Sequence, residues 1–245
     1  MPTTLVAWRD YAAVLFDLDG VLTPTATVHM AAWSEMFTAF FAGYHADGAH
    51  TSPYTAQDYY AFIDGKPRYD GVRDFLRSRG IALPEGTSED PPSAVTVRGL
   101  GNRKNAAFHA ALRRDGVSAY PGSVALLDTL AGMGVPMAVV SSSANAVEVL
   151  QAAGLSQRFV TVVDGPVARE HHLAGKPAPD TFRYAAERCG VPAGDAVVVE
   201  DAVSGVAAGA AGRFGLVIGV DRGAGGAALT AAGADRVVTD LGELA

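Results

Sequence analysis

The chain of 245 residues carries a formal net charge of −7, and 49% of its residues are hydrophobic whereas 18% are charged. Its length allows one large core or a core with a smaller second domain, and its composition is that of a soluble globular protein. The acidic balance, without a basic stripe, argues against nucleic acid or an anionic membrane as the main partner. It leaves room for a small phosphorylated substrate, which needs only a few local cations.

Cysteine content and apolar runs bear on the compartment. Cys189 is the single cysteine, so no disulfide can form within the chain and nothing indicates secretion. Arg9 and Asp10 interrupt the apolar N-terminal stretch, so no secretory signal is predicted. No apolar stretch approaches the ~18 residues of a membrane span. We therefore expect a cytoplasmic protein and, without a heptad pattern or an obvious apolar patch, a monomer.

The first predicted element is a buried strand from Tyr11 to Phe16, which ends in the string Asp17-Leu18-Asp19-Gly20. Residues 26 to about 115 differ from the rest of the chain, because they form helical patterns and contain no convincing strand. A loop rich in proline, glycine, serine and acidic residues is predicted over Leu83–Arg98. The helices predicted in this block are His29–Phe41, Ala56–Ile63, Tyr69–Arg79 and Arg103–Arg114.

Beyond residue 120, strand and helix patterns alternate, which is typical of a parallel sheet with helices on both faces. The predicted strands are Val135–Val140, Phe159–Val163, Ala196–Val199, Gly215–Val220 and Arg236–Val238, and the predicted helices are Asn145–Ala153, Asp180–Cys189 and Ala202–Ala211. Gly223–Gly226 lacks the setting of a phosphate-binding loop and is interpreted as an ordinary loop. We therefore predict the α/β class: a doubly wound parallel sheet from residues 1–25 and 119–245, with an all-α cap domain, residues 26–118, inserted after its first strand.

Polar side chains follow several of the predicted strands, and ligands of doubly wound sheets bind beyond the carboxyl ends of the strands. The candidates at these ends, or in the connection between two of them, are Asp17, Asp19, Ser141, Ser142, Ser143, Lys176, Glu200 and Asp201. Since the strand ends meet at one edge of a sheet, we expect these side chains to form one site.

The residue types at this edge suit a phosphoryl transfer. Asp17 can attack phosphorus, and Asp19 can protonate the leaving oxygen and later accept a proton. Lys176 supplies fixed positive charge, and Ser141 can donate a hydrogen bond to a phosphate oxygen. The predicted catalytic residues are therefore Asp17, Asp19, Ser141 and Lys176.

Carboxylates at the same edge predict a divalent cation, because hard cations prefer oxygen ligands. The predicted cation is Mg²⁺ and its predicted ligands are Asp17, Asp19, Glu200 and Asp201. Taken singly, each motif has a simpler interpretation: an Asp-x-Asp string can cap a turn, a lysine can be solvated, and acidic residues favour the start of a following helix. Their combination favours a catalytic site.

The chain resembles the haloacid dehalogenase-like (HAD) phosphotransferases in four motifs, which are Asp17-Leu18-Asp19-Gly20, Ser141, Lys176-Pro177 and Glu200-Asp201. Order and spacing both fit, nearly the whole chain is covered, and the four together are far more specific than any one. The resemblance implies a HAD-like Rossmannoid core, and the helical insertion is similar to the C1-type cap of that superfamily. It also implies an aspartyl-phosphate on Asp17.

A narrower resemblance is to the β-phosphoglucomutase family, in Thr23–Ala26, His29, Trp33, Asp64–Arg68, Arg103–Asn105 and Lys176–Asp180. It implies that Arg68 binds the distal phosphate of the sugar, that Lys104 helps to bind substrate, and that His29 couples the first cap helix to the core. The implied substrate-binding residues are Gly20, His29, Trp33, Gly65, Arg68, Lys104, Ser142, Ser143 and Asn145. The sequence departs from the family at Pro24, where many relatives have an acidic residue, at Ala144, which replaces a lysine, and in the longer Leu83–Arg98 loop.

Three functions follow as alternatives. A β-phosphoglucomutase would convert β-glucose 1-phosphate to glucose 6-phosphate, and the cations predicted for two phosphate sites favour it. A sugar-phosphate phosphatase of the same fold would pass the phosphoryl group from Asp17 to water. A catalytically silent binding module is the third alternative, against which the complete set of catalytic residues argues. Under both enzymatic alternatives the partner is a small sugar phosphate.

Overall fold

The computed structural model describes residues 6–44 and 52–245, which fall into two compact units. The sheet unit comprises residues 1–24 and 117–245, and the helical unit comprises residues 25–116. These limits lie one and two residues from the boundaries predicted after residues 25 and 118. No helix among the described residues combines the length and apolarity needed to cross a membrane.

The described part of the sheet unit contains one parallel sheet in the order β3-β2-β1-β4-β5-β6. Its strands are β1 Ala13–Phe16, β2 Met137–Val140, β3 Thr161–Val163, β4 Ala196–Glu200, β5 Leu216–Val220 and β6 Arg236–Val238. Every predicted strand is present, and no strand end lies more than two residues from its predicted position. The predicted fold class is confirmed.

The two central strands are fully enclosed. Every residue of β1 and β4 is 0% exposed, which explains why β1 and the first four residues of β4 are continuous apolar runs and not alternating patterns. Phe16 pairs with Val139 of β2 on one side and with Val199 of β4 on the other. The residues that follow β1, β2 and β4 therefore leave the sheet at the same level and along the same edge.

The helical unit contains four described helices, which are α1 Thr25–Gly43, α2 Ala56–Phe62, α3 Arg68–Ser78 and α4 Val97–Asp115. Aromatic side chains of α1 form its core together with Phe75 of α3, and the rings of Phe37 and Phe75 lie 4.4 Å apart. Trp33 and Phe41 are buried in the same cluster. The aromatic residues at helical spacing in α1 are thus core residues.

Helix α4 begins six residues earlier than predicted. Thr96 caps it, because its hydroxyl accepts a hydrogen bond from the Gly99 amide at 2.9 Å. Gly99 also lets the chain fold back closely, since a Cβ at this position would lie 2.4 Å from the carbonyl oxygen of Ala94. The end of the predicted Leu83–Arg98 loop is therefore the first turn of α4.

The remaining helices belong to the sheet unit and are α5 Pro121–Gly132, α6 Ala146–Ala152, α7 Gly165–Glu170, α8 Asp180–Arg188, α9 Val203–Gly212 and α10 Gly226–Ala231. The helices α5, α7 and α10 were not among the predicted elements. Two of them, α7 and α10, are six residues long and begin at glycine, which is a poor helix former. The predicted Gly223–Gly226 loop ends at Gly225, a residue with φ of 92° that precedes α10.

Candidate active site

Three neighbouring strands of the sheet unit deliver polar residues to one edge. Asp17 follows β1, Ser141 follows β2, and Glu200 is the last residue of β4. The backbone amide of Asp17 donates to the carbonyl of Val199 at 2.9 Å, so the pairing of β1 with β4 continues up to the aspartate. Parallel pairing thus fixes the position of Asp17 relative to Glu200.

Lys176 joins the three strand ends. Its Nζ donates to Asp17 Oδ1 at 2.5 Å, to Glu200 Oε1 at 2.6 Å and to the carbonyl of Val140 at 3.0 Å. The side chain is 1% exposed and its ammonium lies 5.0 Å from the ring of Phe182. One buried cation therefore uses three donors on the ends of β1, β2 and β4, as an ammonium can.

Burial and like charges dominate the electrostatics of this edge. Burial raises the pKa of Asp17 well above its usual value, and Glu200 and Asp19 add to this rise, whereas Lys176 lowers the pKa. Burial alone would lower the pKa of Lys176, but the carboxylates of Asp17 and Glu200 outweigh it and raise that pKa. The amine is therefore cationic, and acid groups outnumber it.

Two glycines give these carboxylates their room. Gly20 has φ of +91°, and a Cβ there would lie 1.9 Å from Asp201 Oδ2, so Asp201 packs directly against the loop that carries Asp17 and Asp19. Gly205 is in the first turn of α9, and a Cβ there would lie 1.7 Å from Glu200 Oε1. Gly205 was missed by the sequence reasoning; its small-residue surroundings, Ala202–Ala211, were the available signal.

Both carboxylate oxygens of Glu200 accept hydrogen bonds inside the protein. Its Oε1 accepts from Lys176 and its Oε2 accepts from the Ala202 amide at 2.8 Å. Glu200 therefore anchors Lys176, and its role as a metal ligand stays a prediction. No group of three or more His, Cys, Asp or Glu side chains among the described residues is arranged to hold a metal ion.

The loop after β2 is organised by its own hydroxyls. The Ser141 hydroxyl accepts from the Ser143 amide at 3.0 Å, and the Ser143 hydroxyl accepts from the Asn145 amide at 3.1 Å. Ser141 Oγ also lies 3.4 Å from Asp19 Oδ2, which links this loop to the one after β1. Together with Asp17, Lys176, Gly20 and Ser142, these residues are the predicted catalytic and substrate-binding residues that belong to the sheet unit.

The other predicted substrate residues belong to the helical unit. Lys104 Nζ contacts His29 Nδ1 and lies 5.3 Å from the ring of Trp33. The ring of His29 stacks on Phe108 with centroids 4.0 Å apart. Lys104 is only 3% exposed and His29 only 8% exposed, so both side chains are buried.

Arg68, the first residue of α3, is connected to the Leu83–Arg98 loop through two side chains. It follows Gly65, another predicted substrate residue, at which φ is +70°. The guanidinium of Arg68 lies 5.0 Å from the ring of Tyr69, and the Tyr69 hydroxyl donates to Asn102 Oδ1 at 2.8 Å. Asn102 Nδ2 in turn donates to the carbonyls of residues 88 and 90, at 3.1 and 2.9 Å.

Asn102→Ala is expected to lower the free energy of unfolding by about 1–3 kcal/mol, because it leaves the Tyr69 hydroxyl and two loop carbonyls without their partner. Urea unfolding measures the change. The control is Ser88→Ala, which removes an exposed hydroxyl bonded to Glu89 but keeps the carbonyl that Asn102 contacts. A shift no larger than that of the control would contradict the role given to Asn102.

Known proteins share both the sequence and the fold. The protein family described as haloacid dehalogenase-like hydrolase matches residues 11–213 of this chain. A β-phosphoglucomutase of Mycobacterium bovis is 51% identical over 237 residues, which cover 95% of this chain and 90% of that protein. Hexitol phosphatase A of Escherichia coli is 31% identical over 199 residues, which cover 80% of this chain and 77% of that protein. The crystal structure of a β-phosphoglucomutase from Clostridium difficile has a TM-score of 0.76 at 22% identity, over 96% of this chain and 93% of that one.

The chain therefore belongs to the haloacid dehalogenase-like hydrolases, as the four motifs predicted. Within that family it is an enzyme of the phosphomutase or phosphatase kind. The alternative of a catalytically silent binding module is thereby set aside.

Proposed function

We propose that this enzyme is a Mg²⁺-dependent β-phosphoglucomutase, which converts β-glucose 1-phosphate to glucose 6-phosphate through a phosphoryl group carried by Asp17. The observation that carries the proposal is the buried Lys176 ammonium in contact with both Asp17 and Glu200. It orients a carboxylate at the edge of the sheet where ligands of this architecture bind. The 51% identity to a protein named β-phosphoglucomutase supports the choice of sugar.

The chemistry divides among the residues of the sheet unit. Asp17 attacks phosphorus, and the bond between phosphorus and the sugar oxygen breaks. Asp19 gives its proton to the leaving sugar oxygen, and it accepts a proton when a sugar hydroxyl takes the phosphoryl group back. Lys176 holds Asp17 and offsets the charge of the transferred group, while Ser141 donates a hydrogen bond to it.

The donor set of the sheet unit fits Mg²⁺, which binds one or two carboxylates and keeps several waters. Asp17 and Asp201 would hold the ion, because Gly20 lets the Asp201 carboxylate lie against the loop that carries Asp17. Asp19 stays a predicted ligand. The surplus of acid groups that raises the pKa of Asp17 is what a divalent cation would offset. Bound Mg²⁺ would keep the Asp17 carboxylate ionised and polarise the phosphoryl oxygens.

A mutase needs a second phosphate site, and Arg68 is the residue proposed for it. The intermediate would be a sugar bisphosphate that turns around, so that its two phosphates exchange between Asp17 and Arg68. Gly65, His29, Trp33 and Lys104 of the helical unit are proposed to complete sugar recognition, with Ser142, Ser143 and Asn145 of the sheet unit.

A sugar-phosphate phosphatase is the second candidate. The similarity to Escherichia coli hexitol phosphatase A, at 31% identity over 80% of the chain, favours it. In that case water would take the phosphoryl group from Asp17, and a cation at the distal end of the sugar would serve binding alone.

The decisive experiment supplies the enzyme with Mg²⁺, β-glucose 1-phosphate and a trace of glucose 1,6-bisphosphate, and measures glucose 6-phosphate and free phosphate together. Glucose 6-phosphate without stoichiometric free phosphate is expected. Free phosphate alone would establish the phosphatase. Asp17→Asn, which keeps the shape of the side chain but lacks the nucleophilic charge, is the control and is expected to give neither product.

Arg68→Ala is expected to lower kcat/KM for β-glucose 1-phosphate by about 100-fold or more, because a charge-assisted contact to the distal phosphate is lost. Hydrolysis of p-nitrophenyl phosphate, which has no distal phosphate, is expected to stay within about twofold of wild type, since the loss falls on binding at the far end. Arg77→Ala, an exposed arginine of the same helix, is the matched control. Equal losses with both substrates would contradict a distal phosphate site at Arg68.

A further inference from the structure

Arg222 connects the segment between β5 and α10 to the loop that carries the catalytic aspartates. Its Nε donates to the carbonyl oxygen of Gly20 at 3.1 Å, across 202 residues of sequence. The sequence reasoning gave this region no role beyond a glycine-rich loop, and the phosphoryl-transfer steps above do not use Arg222. Its position nevertheless places a permanent cation on the backbone next to Asp19.

With this contact, both backbone polar groups of Gly20 are hydrogen-bonded. The Gly20 amide donates to the carbonyl of Thr23 at 2.8 Å, and the Gly20 carbonyl accepts from Arg222. With both groups held, the backbone of Gly20 is fixed at φ of +91°, the conformation beside which Asp201 packs. Asp19 precedes this residue, so its carboxylate is aimed by the same backbone.

Besides Gly20, three partners hold the Arg222 side chain. Its guanidinium stacks on the ring of Tyr120 at 4.0 Å, its Nη1 donates to the carbonyl of Thr239 at 2.9 Å, and its Nη2 lies 3.4 Å from Asp240 Oδ2. Its own segment is fixed by Asp221, whose Oδ1 accepts from the amides of Gly223 and Gly225. The side chain is 21% exposed, which limits its freedom to rearrange.

We infer that Arg222 is a positioning residue for phosphoryl transfer: through the Gly20 carbonyl it holds the Asp17–Thr23 loop in the conformation that aims Asp19 and admits Asp201. The inference rests on the proposed function of that loop. A planar fork that donates to two carbonyls and stacks on a ring is a task for arginine, which lysine cannot perform. Arg222 touches no reacting atom and acts through the position of Asp19. Its effect therefore falls on the rate of the chemical step.

The test compares R222A and R222K with R158A, a matched control in the sheet unit. Arg158 is likewise paired with a carboxylate, that of Asp128, and its side chain is 29% exposed. R222A is expected to lower kcat by about tenfold to a hundredfold, with KM for the sugar phosphate within about twofold, because the loop is loosened and the substrate contacts are kept. R222K is expected to recover only part of this loss. R158A is expected to keep the kcat of the wild type.

Amide hydrogen exchange over residues 18–24 gives a second readout that needs no turnover. Exchange there is expected to be faster in R222A than in wild type and unchanged in R158A. Unchanged exchange in R222A, full recovery of kcat in R222K, or a loss confined to KM would each overturn the inference. If R222A does not fold, R222K carries the same comparison. If wild type turns over no sugar phosphate, the proposed function fails, while the exchange measurement still tests whether Arg222 holds the loop.

Discussion

Lys176→Met is expected to abolish turnover and to lower the free energy of unfolding by about 3–5 kcal/mol, the cost of leaving buried charge without its partner. The ammonium is 1% exposed and contacts two carboxylates and one carbonyl. Without it, Asp17 and Glu200 repel each other in a site that water hardly reaches. Mutase assays and urea unfolding measure the two effects.

The size of this effect depends on burial, and a second lysine provides the comparison. Lys66 pairs with Asp74 at 2.8 Å, but the two side chains are 27% and 35% exposed. Lys66→Met is expected to lower the free energy of unfolding by about 1 kcal/mol or less, as for other solvated ion pairs. Equal destabilisation by the two variants would show that Lys176 does not carry the electrostatic role given to it.

Gly205→Ala is expected to reduce kcat by about 100-fold or more, although the residue carries no functional group. A Cβ at this position would lie 1.7 Å from Glu200 Oε1 and 2.0 Å from its Cδ, so the glutamate side chain has to move. Glu200 holds Lys176, and Lys176 holds Asp17, so the displacement reaches Asp17, the proposed nucleophile. Steady-state kinetics with β-glucose 1-phosphate measures the loss.

Gly132→Ala is the matched control for this variant. Gly132 is also a helical glycine of the sheet unit, at the end of α5, and a Cβ there meets nothing within 4 Å. The added methyl group is expected to leave kcat unchanged and to stabilise the helix by a few tenths of a kcal/mol up to about 1 kcal/mol. A Gly205→Ala enzyme as active as Gly132→Ala would contradict the anchoring role of Glu200.

The strands could be predicted from the sequence because burial on both faces demands continuous apolar runs, such as Ala196–Val199. The location of Asp17, Ser141 and Glu200 at one edge followed from the same pattern, since parallel strands end together. Helices α7 and α10 could not be predicted, because six residues that begin with glycine carry too little periodicity. Packing in the folded protein stabilises them where intrinsic propensity does not.

The supporting residues of the site were beyond the reach of sequence patterns. Gly205 matters because of the Glu200 side chain five residues earlier, and Arg222 because of a carbonyl 202 residues away. Neither contact has a characteristic spacing, so only the folded chain reveals it. Glu200 was identified as a site residue, but its engagement with Lys176 and the Ala202 amide could be seen only in the structure.

The hydrogen bond from the Tyr120 amide to the Leu22 carbonyl, 2.9 Å long, joins the segments that lead into and out of the inserted helices. The sheet unit therefore presents the insertion with two neighbouring attachment points, and the entropic cost of closing a loop between such points grows only slowly with its length. Helices can be lengthened, exchanged or given new loops there without a change of register in the sheet. Under the proposed function, changes confined to the helical unit would alter Arg68 and its neighbours while the residues proposed for phosphoryl transfer in the sheet unit stayed the same.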